Sequence, residues 1–141
     1  MFSLSEFYGY CKVNDVDVMP FSALPSAACT VRDGEYYAVA LNFTRLNTVR
    51  QIRTAMLHES GHLHTGALSK VDSPFQLVAQ NENRADADSF RRYLPPEEIR
   101  SAMRDGYTEP WQLADYFDQD EDYIKQALHS WTACRGVDFN S

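Results

Sequence analysis

With 141 residues, 44% of them hydrophobic, the chain can bury one core but is short for a comfortable second one. Its 13 Lys and Arg against 20 Asp and Glu leave a net charge of −7, and residues 95–141 alone contribute 4 − 10 = −6, which opposes binding to a phosphate backbone. No apolar run is long enough to cross a bilayer, and Met1-Phe2-Ser3 does not begin a basic and then apolar leader, so a cytoplasmic protein without membrane or direct nucleic-acid contacts is expected. Cys11, Cys29 and Cys134 are odd in number and widely spaced, a poor disulfide framework and a poor zinc knuckle.

In chain order, Ser3 or Ser5 can cap a first helix reaching about Val13, where Asn14-Asp15 breaks it. Val16 to Met19 alternates as a strand, and Pro20 and Pro25 punctuate the loop that follows. Cys29 to Arg32 and Glu35 to Leu41 flank Asp33-Gly34, a strong hairpin signal, so they should pair antiparallel. Asn47-Thr48 can cap a helix running through Val49, Ile52, Met56 and Leu57, and Gly66 marks its end. Ser73-Pro74 opens the next helix, which reaches Tyr93-Leu94 before Pro95-Pro96. Shorter helices should follow at about Glu97 to Met103, Pro110 to Phe117 and Asp120 to Trp131. Trp111, Leu113, Phe117, Ile124 and Leu128 are expected in their core.

The chemistry concentrates at His58-Glu59-Ser60-Gly61-His62. Two histidines four apart lie on one helical face and can grip one metal ion, while Glu59 is placed to take a proton from water at an open coordination position. Glu82-Asn83-Arg84-Ala85-Asp86 begins twenty residues beyond His62 and sets Glu82 and Asp86 on one face of the next helix. A catalytic zinc site takes three protein ligands plus water, here His58, His62 and Glu82, with Asp86 and Asp88 as rivals for the third place. Asp86, one turn along, suits the carboxylate that receives the other ring N–H of His58 and so orients it. His64 lies about 200° around the helix from His62 and cannot face the same ion.

These motifs, with Thr65-Gly66 after the first and Pro95 after the second, resemble the ImmA/IrrE metallopeptidases carried by phages and integrative elements. Glu109-Pro110-Trp111-Gln112-Leu113-Ala114-Asp115-Tyr116-Phe117 is similar to the helical end of their short members, so the likeness spans most of the chain. It implies a gluzincin-like core, zinc bound by His58, His62 and Glu82, Glu59 as general base, and cleavage of a helix-turn-helix repressor. One departure is Asp88-Ser89, where the family commonly has an aromatic residue followed by alanine; it leaves open a register with Asp86 in the ligand position.

The fold expected is therefore α+β: a small antiparallel sheet packed on a zincin-type active-site helix, followed by a helical C-terminal part. It is read as one domain, with a helix and sheet in residues 1–46, the metal-binding helices in 47–94 and a helical extension in 95–141. Glu35 to Leu41 is the candidate edge strand for capturing an extended peptide, and Tyr36, Tyr37 and His64 are candidate oxyanion donors. Two other classes compete. One is a non-catalytic, metal-stabilised anti-repressor acting by protein binding. The other is a DNA-binding regulator, opposed by the acidic C-terminal third. Peptide deformylase shares the histidine motif, but no upstream cysteine motif resembling its third ligand is seen.

Overall fold

A computed structural model describes residues 3–66, 68 and 75–140 of the chain. The chain falls into two compact units that divide between Ser89 and Phe90. The class is α+β, with six α-helices and a three-stranded sheet among the described residues.

In the first unit, α1 (Leu4–Val13) starts where the Ser3 hydroxyl accepts from Glu6 N, and it stops at Asn14 and the left-handed Asp15. β1 (Asp17–Pro20) follows, then β2 (Ala28–Asp33) and β3 (Tyr36–Leu41). The hairpin is antiparallel, as expected, and closes one residue later than Asp33-Gly34 suggests: Asp33 pairs with Tyr36 around Gly34-Glu35, with Gly34 at φ +62°. The sheet is mixed, however, in the order β1-β3-β2, because β1 joins β3 in parallel.

This order corrects the edge assignment. Glu35 to Leu41 does not form an edge: β3 is the central strand, with Ala38, Val39 and Leu41 buried. The edges are β1, which carries Pro20, and β2.

α2 (Val49–Thr65) packs on β2 and α1. Its N-cap is Thr48, whose hydroxyl accepts from Gln51 N, and its C-cap is Gly66 in the left-handed region at φ +66°. α3 (Phe75–Tyr93) carries the second motif; the start expected at Ser73-Pro74 lies outside the described residues.

The second unit holds α4 (Pro96–Arg104), α5 (Pro110–Phe117), α6 (Glu121–His129) and a π-helical turn over Ser130–Cys134. Its core includes Leu94, Ile99, Leu113, Phe117, Ile124 and Trp131, and the Trp131 indole donates to Leu94 O at 2.8 Å. Leu113, Phe117 and Ile124 take the core places expected of them and Leu128 is half-buried, whereas Trp111 is 56% exposed. No helix of the described residues is long and apolar enough to cross a membrane.

Candidate metal centre

The site lies wholly in the first unit, where α2 and α3 touch. Gly61 makes that approach possible, since a Cβ there would collide with the backbone carbonyl of Ala85. Ala85, itself fully buried, is the small residue on the other side. This close crossing brings the two four-residue spacings face to face.

Nε2 of His58 and Nε2 of His62 converge on the Glu82 carboxylate, at 2.9 Å and 3.2 Å. The ligand atoms of His58, His62 and Glu82 all lie within 4.8 Å of one another. Two ligands of a tetrahedral zinc ion stand about 3.3 Å apart, so the two histidine–carboxylate separations are of the size a shared ion needs, and two imidazole nitrogens with a carboxylate oxygen are a donor set that could hold zinc or another divalent metal. Asp86 is on the other side of His58, accepting from Nδ1 at 2.7 Å. Its carboxylate therefore holds the ring from that side while Glu82 occupies the face shared by both imidazoles, so that Glu82 rather than Asp86 groups with the two histidines. Asp88 is buried and does not belong to the cluster.

Glu59 is 4% exposed, and its Oε2 accepts a 2.7 Å hydrogen bond from the Thr30 hydroxyl on β2. Glu59, Thr30 and the three cluster residues line one cleft of about 370 Å³, closed by Ser26, Ala28, Cys29 and Leu68. Leu68 is tied to α3 through its carbonyl, which accepts from the Asn81 side chain at 3.1 Å. Asn42, fully buried, holds the loop before β2 by donating to Leu24 O at 2.8 Å.

The electrostatics follow from this packing. For His58, burial alone lowers the imidazole pKa, but hydrogen bonds to Asp86 and Glu82 and the charge of Glu59 outweigh it and raise it to about 10. Hydrogen bonds from His58 and His62 hold the Glu82 carboxyl well below the usual carboxylate range. Burial pushes Glu59 up, against the downward pull of His58, the Thr30 hydroxyl and His62. Burial, then the charges of Glu59 and Glu82, also raise the Cys29 thiol, which keeps it protonated and a poor nucleophile.

His64 points elsewhere, donating from Nδ1 to Ser60 O at 2.8 Å and packing against Tyr10 with ring centroids 4.6 Å apart. Tyr36 and Tyr37 do not line the cleft either, so none of the three expected oxyanion donors is supported. Sequence reasoning missed Thr30, Gly61 and Asn42. Only Gly61 carried a local signal, as a glycine in the middle of a helix. No family model, curated protein or solved structure matches the chain.

Proposed function

We propose that this cleft is the active site of a zinc-dependent endopeptidase, and that the protein acts as the ImmA/IrrE-like motifs imply, on a helix-turn-helix repressor of a phage or mobile element. The observation that carries the reading is the convergence of His58, His62 and Glu82 within 4.8 Å in the same cleft as a buried carboxylate that is not itself in the cluster. Zinc held by these three side chains supplies Lewis acidity that polarises a peptide carbonyl and lets water ionise near neutral pH.

The chain's own groups divide the remaining work. Glu59 accepts the proton of the attacking water and returns it to the departing amine, so that hydroxyl ends on the carbonyl carbon and hydrogen on nitrogen. A carboxylate whose pKa burial raises is better matched to that exchange at neutral pH than an exposed one. Thr30 holds one oxygen of Glu59 and leaves the other to the cleft. Asp86 fixes the tautomer of His58 so that Nε2 faces Glu82 and His62. β2 is a sheet edge and its residues Ala28 to Thr30 line the cleft, which supports capture of an extended peptide by backbone pairing there.

The test couples metal analysis to turnover. The purified chain should bind one zinc; His58→Ala, His62→Ala and Glu82→Ala should lose it, while Glu59→Gln keeps it and stops cleavage of a co-expressed repressor. Repressor inactivated by Glu59→Gln yet still full length would instead establish a binding protein that retains a metal for stability.

A further inference from the structure

The second unit contains a separate cavity of about 380 Å³, walled by Glu98 and Ser101 of α4 and by Tyr116 and Phe117 of α5. It shares no residue with the metal cleft. Phe117 is buried, whereas Tyr116 and Glu98 are exposed. The Tyr116 ring packs on Phe117 at 4.9 Å and on the partly exposed Tyr107 at 5.0 Å, so the aromatic wall is held in place by its neighbours.

Aromatic walls alone would suit any apolar side chain, and charge narrows the choice. Glu98 is the one charged residue in the wall, and the segment 96–118 from which the four wall residues come holds Glu97, Glu98, Asp105, Glu109, Asp115 and Asp118 against Arg100 and Arg104, a net 2 − 6 = −4. Of those bases, Arg100 is engaged by the chain's end, with its guanidinium 5.7 Å from the Phe139 ring centroid and a 3.2 Å bond to Asp138 O. A cation satisfies both the ring faces and the field. Guanidinium fits better than ammonium: it is flat, weakly hydrated, stacks on an aromatic face and still donates in its own plane to a carboxylate.

We propose that this cavity docks an arginine side chain of a partner polypeptide, with the guanidinium on the Tyr116 ring and donating to Glu98. The site stands whether or not the metal cleft is catalytic.

Calorimetric titration of the full chain with a capped Arg/Gly/Ser peptide, and with its Lys and Gln counterparts, tests it. The Arg peptide should bind, the Lys peptide several-fold more weakly and the Gln peptide not measurably, with affinity falling as salt rises. Tyr116→Leu fills the space without the ring, and Glu98→Gln removes the charge from an exposed position. Each should weaken the Arg peptide roughly tenfold, Glu98→Gln with an unchanged melting temperature, while Tyr116→Phe should retain it. Should Tyr116→Leu not fold, Glu98→Gln still decides. Equal binding of the Gln peptide, undiminished binding by Glu98→Gln, preference for duplex DNA, or self-association lost in Glu98→Gln would each overturn the assignment.

Discussion

His58 bonds two carboxylates at once, through Nδ1 to Asp86 and through Nε2 to Glu82, and only the imidazolium has a proton for both. In the metal-free protein the raised pKa stabilises the fold fully below the ordinary value of 6.5, and that contribution is lost as pH climbs toward about 10. Glu82 has the opposite sign: its depressed pKa contributes above the ordinary carboxylate value and is lost in acid. A metal on Nε2 must displace the His58 proton, so zinc affinity should rise about tenfold per pH unit between roughly 6.5 and 8, with about one proton released per ion. Calorimetry in buffers of different ionisation enthalpy measures that release, and a pH-independent affinity would contradict this account of His58. Asp86→Asn should flatten the climb and weaken zinc roughly 10- to 100-fold. Thr30 makes a sharper case, because it touches Glu59 and belongs to no motif. Thr30→Val keeps the shape and removes the hydroxyl. It should slow proteolysis about tenfold or more with zinc content unchanged, and Thr30→Ser should restore the rate. Equal rates for Val and Ser would leave Thr30 as packing only.

At the scale of elements, two helical glycines predict opposite outcomes. Gly9 in α1 has nothing within 4 Å of an added Cβ, so Gly9→Ala should raise stability by roughly 0.5–1 kcal/mol through helix propensity. Gly61 in α2 meets the Ala85 backbone, which cannot swing away as a side chain would, so Gly61→Ala should cost roughly 1–3 kcal/mol and loosen zinc with it. Thermal melts of both variants settle this, and a stabilised Gly61→Ala would mean that α2 and α3 do not cross as described. The contrast also marks what was legible in the sequence. The histidine pair, Glu82 and Asp86 could be read because helical periodicity is local, and the Ser3, Thr48 and Gly66 helix ends for the same reason. Gly61 against Ala85, and Thr30 against Glu59 across 29 positions, depend on how distant elements pack, and no local pattern encodes that. The sheet order lies between these cases. Pro20 suits an edge at β1 and the apolar run Ala38-Val39-Ala40-Leu41 suits a central β3, but which strand lies beside which is set by contacts between segments distant in the chain, and the place of Glu35 to Leu41 just before the motif helix does not fix it. Trp111 misled for another reason: an apolar stripe shows that a face exists, not that every member of it is covered.

Over the whole molecule, charge and chemistry occupy different parts of the chain. Every residue of the metal cleft falls before Phe90, while the net −6 falls in residues 95–141. The structure also sorts those acids. Asp118 occupies a left-handed C-cap at φ 55°, Asp120 stands at the N-cap position of α6 and Glu121 pairs with Lys125 at 3.5 Å, whereas Glu97, Glu98 and Asp122 are exposed on the surface that a basic partner would meet. Metal removal should respect the same division. An ion at a thousand times its Kd adds about 4 kcal/mol of stability to whatever unfolds with its site. Hydrogen exchange with and without a chelator should therefore show protection lost along α2 (Val49–Thr65) and at the Glu82 to Asp86 turn of α3, and little change in α5 (Pro110–Phe117) and α6 (Glu121–His129). Equal loss throughout would mean that the two units unfold as one, so that zinc bound before Phe90 stabilises the acidic helices as strongly as its own ligands.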